Sequence, residues 1–100
     1  MPVFTITDEG ADAGEVVGTV YGSAEDAKNV CIVYANSLVD KLNELEETEM
    51  YAVEPFDDHG KLGVINTDYD GKFFERVIWA QEVKTLTVDN VKQIVEELYS

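Results

Sequence analysis

Basic residues are scarce in this chain of 100 residues. Seven Lys and Arg side chains face 21 Asp and Glu, which gives a formal net charge of -14 at pH 7, and no base precedes Lys28. Phosphate binding needs clustered Lys and Arg, so the composition argues against a direct nucleic-acid partner. The same sign argument excludes an anionic membrane surface as a partner.

Cysteine and long apolar runs are also nearly absent. Cys31 is the only cysteine, so no disulfide can form within the chain, and a reducing compartment fits best. Residues 1–4 lack the basic and apolar regions of a signal peptide. No apolar run approaches the 18 residues of a membrane span. We therefore expect a cytoplasmic protein.

The material for one core is present. Hydrophobic residues make up 45% of the chain and aromatic residues 10%, which excludes a disordered acidic tail. One hundred residues predict a single domain covering 1–100, able to bury about two-thirds of the unfolded chain's surface.

The acidity exceeds what solubility requires, since a small domain needs a net charge of only about 2–8. Repulsion among so many carboxylates weakens the compact state, so the excess calls for an explanation. Adaptation to high salt is one alternative. The chain has six Lys to one Arg and more Glu than Asp, which disfavours that explanation.

Apolar spacing predicts five strands and two helices. Alternating or β-branched runs indicate strands at 3–7, 15–21, 50–56, 62–67 and 73–86, and Asp70-Gly71 predicts a hairpin turn. Helices are predicted at 24–47 and from residue 88, after an N-cap at Thr87. The order β-β-α-β-β-β-α predicts an α+β fold with two layers, a mostly antiparallel sheet and both helices on one face.

The first predicted helix has the clearest pattern. Ser23 is a good N-cap, and Asp26 completes a capping box. The predicted buried stripe consists of Ala27, Val30, Cys31, Tyr34, Leu38, Leu42 and Leu45. Its C-terminal end is crowded with acids, although helix C-termini favour bases. Residues that oppose a local structural preference, with no interaction that offsets the cost, are typical of functional sites.

These acids are the predicted partner-binding residues. The first group is the helix end, and the second is the loop after the first strand; together they comprise Glu44, Glu46, Glu47, Glu49, Asp8, Glu9 and Asp12. If the fold brings both groups to one side, they form a negative strip that resembles the charge density of a nucleic-acid backbone.

Catalytic and metal-binding patterns are weak. His59, the single histidine, lies in a predicted turn, where polar residues collect in any case. Cys31 falls on the apolar stripe, whereas a reactive thiolate needs an electropositive, partly exposed setting. Asn66, Asp68, Asp70 and Gly71 match the first half of a calcium loop, but Val77 replaces the closing Glu. We predict no enzyme, no cofactor and no metal.

Two functional hypotheses remain. The first is a non-enzymatic interaction module that binds a basic protein surface, including as a nucleic-acid-mimicking inhibitor of a DNA- or RNA-binding partner, in the manner of small phage or mobile-element inhibitors. The second is a small structural or regulatory subunit that self-associates through a sheet edge or apolar patch. Residues 50–53 and the exposed side of residues 73–86 are the candidates for that patch.

Overall fold

The computed structural model describes residues 2–10, 13–67 and 73–99. The elements are β1 (Val3–Glu9), β2 (Gly14–Tyr21), α1 (Ala24–Leu45), β3 (Tyr51–Glu54), β4 (Leu62–Asn66), β5 (Phe73–Glu82) and α2 (Val91–Leu98). The strands form one sheet in the order β2-β1-β5-β4-β3, and all neighbouring strands are antiparallel. The predicted α+β class and element order are therefore confirmed.

The β1–β2 hairpin contains the irregularity that Gly18 indicated. Ile6 pairs with Gly18 and Thr7 pairs with Val16, so Val17 is the extra residue of a bulge. β2 lies at one edge of the sheet and is exposed over most of its length. The turn predicted at residues 68–71 lies outside the described residues.

The start of α1 follows the sequence prediction. The Ser23 side chain accepts a hydrogen bond from the backbone N–H of Asp26 at 3.1 Å, and the Asp26 carboxylate accepts one from the N–H of Ser23 at 2.9 Å. These bonds lower the pKa of Asp26. The capping box fixes where the helix begins.

The buried face of α1 differs from the predicted stripe. Its fully buried residues recur every four positions, as Ala27, Cys31, Ala35 and Val39. Val30 and Leu45 were predicted to be buried but are exposed. The cause is the direction of the helix across the sheet, because small residues at 27, 31 and 35 allow close approach there. The apolar spacing alone did not select between the two neighbouring stripes.

The core lies between α1 and the middle strands. Ile6, Leu62, Val64 and Ile78 contact the buried face of α1. β5 pairs with both β1 and β4, which agrees with its apolar residues on both sides. Within the described residues, Val77 and Ile78 are paired on both sides, whereas residues 79–82 pair only with β1 and residues 73–76 pair only with β4. β3 is the second edge, as Pro55 predicted.

The two helices have different roles. We predicted both on one face of the sheet; α1 covers that face, whereas α2 lies apart and none of its residues is buried. Ile94 and Leu98 lie beside Thr5 and Gln81, on the face opposite α1, because Thr5 alternates with the buried Phe4 and Ile6.

The segment between β5 and α2, residues 83–90, contains no helix or strand. A reciprocal pair of hydrogen bonds between Thr87 and Asn90 closes a turn before α2 begins. The molecule measures 54 × 26 × 22 Å, with a radius of gyration of 16.2 Å. A compact chain of this length has a radius of about 13 Å. No helix in the described part of the chain is long and apolar enough to cross a membrane.

Candidate protein-binding surface

The C-terminal end of α1 is closed by a Schellman motif. The N–H of Thr48 donates to the carbonyl of Asn43 at 2.9 Å, and the N–H of Glu47 donates to that of Glu44 at 3.3 Å. Glu47 therefore has a left-handed conformation, with φ of 50°. Glycine normally occupies this position because a side chain is unfavourable there. The chain thus accepts backbone strain to place a carboxylate at this point.

The same helix end gathers uncompensated negative charge. An open depression, here called the acidic concavity, is lined by Asp40, Asn43, Glu44, Glu47, Thr48 and Glu49. The last turn of α1 contains no base. Lys41 lies 3.8 Å from Glu44, but both side chains are mostly exposed, so this ion pair contributes little. Each carboxylate near the negative end of the helix dipole costs about 0.3–1 kcal/mol.

Asn43 fixes this end of the helix to the sheet. Its side-chain amide donates to the carbonyl of Tyr51 at 3.2 Å, and its side-chain oxygen accepts from the N–H of Tyr51 at 3.0 Å. The Tyr51 hydroxyl in turn donates to the Glu46 carboxylate at 2.9 Å. The acidic concavity is therefore held on a rigid frame. Sequence reasoning missed Asn43, since nothing in the local pattern sets it apart from a solvated helix residue.

Asp8, a predicted contact residue, is buried. It is only 2% exposed, accepts a hydrogen bond from Arg76 Nε at 2.7 Å and accepts another from the Tyr34 hydroxyl at 2.5 Å. The single Arg of the chain is thus used to stabilise this carboxylate. Burial, the Asp8 hydrogen bond and the Asp8 charge together raise the pKa of Tyr34 to about 12. Asp8 belongs to the core and is not available to a partner.

The remaining acids of the second group are placed by the strand register. Glu9 is half-buried and pairs with Val77; along the same row Val77 pairs with Gly63 and Gly63 with Glu54, at the opposite end of β3 from Tyr51. Because Glu9 alternates with the buried Asp8, it lies on the face of the sheet away from α1 and is not part of the acidic concavity. β1 and β3 are three strand spacings apart, or about 14 Å. Asp12 lies outside the described residues.

Cys31 and His59 lie in different surroundings from the acidic concavity. Cys31 is fully buried, and burial raises the pKa of its thiol, which opposes thiolate formation. His59 is exposed in a turn organised by Asp57, whose carboxylate accepts from the N–H groups of His59 and Lys61. Within residues 2–10, 13–67 and 73–99, no three His, Cys, Asp or Glu side chains could jointly hold a metal ion. Asn66 is a buried strand residue, and Asp68 and Asp70 lie outside the described residues.

Replacing Glu47 by glycine is expected to raise the free energy of unfolding by about 1 kcal/mol. Glycine removes the unfavourable side chain at the left-handed position and one carboxylate from the helix end. Glu47→Gln is the matched control, because it removes the charge and retains the side chain. Urea unfolding should rank the glycine variant above the glutamine variant. Equal stability of the two would mean that the backbone at Glu47 is not strained.

The acidic end of α1 thus combines a strained Glu47, several carboxylates without a base in the last turn, and an attachment to β3 through Asn43. This arrangement presents a negatively charged surface to solvent. Comparisons of the chain with protein-family models, curated proteins and solved structures find no match.

Proposed function

We propose that this chain is a non-enzymatic protein-interaction module whose acidic concavity binds a basic surface on a partner protein. The observation that carries the proposal is the collection of Glu44, Glu47 and Glu49 around one depression, at a helix end that contains no compensating base. Binding a cationic partner relieves both the mutual repulsion of these carboxylates and their unfavourable interaction with the helix dipole.

The local energetics support a functional reason for this arrangement. A base at the helix end and a glycine at position 47 would both stabilise the fold, yet the chain has neither. Rules broken without compensation are typical of functional sites. The acidic concavity is also preorganised by the Asn43 and Tyr51 hydrogen bonds, which lowers the entropic cost of binding.

A nucleic-acid-binding partner is the version of this proposal that best fits the charge. Duplex DNA carries one negative charge per ~1.7 Å of its axis, and a cleft built to receive it also attracts a dense row of carboxylates. The module would then act in the cytoplasm as an inhibitor of the phage or mobile-element type.

Charge reversal tests the proposal. Glu44→Lys combined with Glu49→Lys should weaken capture of basic proteins from a host lysate at least tenfold, because steering and attraction are both lost. Asp58→Lys with Asp89→Lys makes the same change in net charge elsewhere on the exposed surface and should retain most of the capture. Capture by the wild type should fall steeply between ~0.05 and ~0.5 M salt. Proteins captured equally by both variants would contradict the proposal.

Self-association is a second candidate, and one observation favours it. β2 is an eight-residue edge strand with exposed Val16 and Tyr21, and long apolar edges are prone to pair with another chain. β2 is the longer edge of the two, because the stretches of β5 that are paired on one side only, residues 73–76 and 79–82, are four residues each. A dimer that persists at ~1 M salt, where the Debye length is only about 3 Å, would support this alternative over a charge-led interaction.

A further inference from the structure

A second candidate surface is apolar. Two adjoining depressions between α1 and the β2 edge share Val30 and Tyr34; Val33 lines one of them, and Val17 and Val20 line the other. Together they are called the apolar groove. Val33 is 67% exposed, although it is one of the most apolar residue types. The bulge at Val17 and the edge position of β2 leave this groove open. Tyr34 forms a fixed wall, because its hydroxyl is bonded to the buried Asp8.

The apolar groove and the acidic concavity occupy the same side of α1. Residues three or four positions apart on a helix lie on the same side of it. One such row on α1 consists of Val30, Val33, Ser37, Asp40 and Glu44. Val33 and Glu44 are eleven residues apart, which corresponds to about 16 Å along the axis. One elongated partner segment can therefore cover both surfaces.

We propose that the occupant of this side of α1 is a basic amphipathic helix of the partner, with aliphatic side chains in the apolar groove and Lys or Arg side chains over the acidic concavity. This inference rests on the proposed function and adds the chemistry of the partner. Charge complementarity selects such a helix, because carboxylates line one end of the row and uncharged side chains line the other. Amphipathic helices commonly bind apolar grooves through residues at these spacings.

A second copy of the chain is disfavoured as the occupant for the same reason. Each copy has a net charge of -14, so the carboxylates around Glu44 would face another acidic surface. α2 has an exposed apolar side with Val95 and Leu98, but it also has Glu96 and Glu97 and only one base, Lys92. A basic helix satisfies both the groove and the carboxylates.

Two designed peptides test the inference. The first is an alanine-based helix of about 18 residues with two Leu and three Lys at three- and four-residue steps along one side. It is made in two versions, one with the Leu pair near the N-terminus and one with it near the C-terminus, so that both binding directions are tested. The second replaces both Leu by Ala. Fluorescence anisotropy should show the Leu peptide binding the wild-type chain about tenfold or more tightly than the Ala peptide, since buried aliphatic side chains account for at least that factor.

Three variants separate the two surfaces. Val33→Ser should abolish the advantage of the Leu peptide and leave binding of the Ala peptide unchanged. Asp40→Asn with Glu44→Gln and Glu47→Gln should weaken binding of both peptides. Val16→Ser is the matched control, because Val16 is also exposed but pairs with Thr7, whose side chain points away from α1. This control should bind as the wild type does.

Each contrary result has a distinct meaning. Equal affinity of the wild type for both peptides, or an unchanged Leu advantage in Val33→Ser, would overturn the inference. The proposed function would survive that result if the acid variant still bound the Ala peptide more weakly. If the acid variant bound both peptides as tightly as the wild type does, the proposed function itself would be overturned. A wild-type dimer that Val33→Ser converts to a monomer in sedimentation would identify a second copy as the occupant, which also overturns the inference.

Discussion

Replacing Asp8 by asparagine is expected to lower the free energy of unfolding by about 2–3 kcal/mol, measured by urea unfolding at neutral pH. Asp8 accepts from two donors, Arg76 Nε and the Tyr34 hydroxyl. Asparagine has nearly the same shape but only one acceptor oxygen, so its amide N–H₂ must face one of those donors. Losing a hydrogen bond to a buried charged group costs about 1.5–3 kcal/mol, and the partial exposure of Arg76 keeps the loss below that of a fully buried pair.

The neighbouring carboxylate provides the control. Glu9→Gln makes the same chemical change one residue away, at a half-buried position, and should alter stability by about 0.5 kcal/mol or less. If both variants were equally stable, the buried arrangement of Asp8, Tyr34 and Arg76 would contribute nothing to the fold.

The pH dependence offers an independent readout of the same cluster. The pKa of Tyr34 is raised to about 12, first by burial and then by the Asp8 hydrogen bond, from its ordinary value of 10.0. The raised pKa of Tyr34 contributes fully to the free energy of unfolding below pH 10. This contribution is lost as the pH rises toward 12, because Tyr34 ionises at a lower pH in the unfolded chain than in the folded one. The alkaline loss should be smaller in Asp8→Asn and absent in Tyr34→Phe. If Tyr34→Phe lost as much stability at alkaline pH as the wild type does, the loss would arise from the ionisation of other groups.

Replacing Ile78 by alanine is expected to lower the free energy of unfolding by about 3 kcal/mol or more. Ile78 is fully buried in the middle of β5, between β1 and β4 and beneath α1. Truncation removes apolar contacts and leaves a cavity that the surrounding strands cannot fill, which typically costs about 2–5 kcal/mol.

Val77→Ala is the matched comparison on the other side of the same strand. Val77 is half-buried and faces away from α1, so its truncation should cost about 1 kcal/mol, in proportion to the smaller area buried. Unfolding in urea distinguishes the two variants. A larger loss for Val77→Ala would mean that the principal core lies on the opposite face of the sheet.

The candidate surface was only partly predictable from sequence. The acids at 44, 46, 47 and 49 stood out because they contradict the preference of a helix C-terminus, and the structure gathers Glu44, Glu47 and Glu49 around one depression. Asp8 was assigned to the same surface because it was predicted to lie in the acidic loop after the first strand, whereas it belongs to β1 and is buried. The sequence does not show whether a given carboxylate is exposed to water or paired with an Arg that is distant along the chain. The apolar groove was also not predicted, because Val17 and Val30 line the same depression from two elements that are separate in sequence.

The sequence by itself determined the local structure. The Ser23–Asp26 capping box, the apolar spacing of α1 and the alternation in the strands depend on residues a few positions apart, and together they were sufficient to predict the order of elements. The start of α2 was predicted at residue 88 but lies at Val91. Tertiary structure decided which side of each element is buried and where α2 lies. Val30 and Ala35 are equally compatible with a helical stripe, and only the sheet beneath α1 selects Ala35, because close approach favours the smaller side chain. Burial depends on contacts between distant segments, which spacing along the chain does not specify.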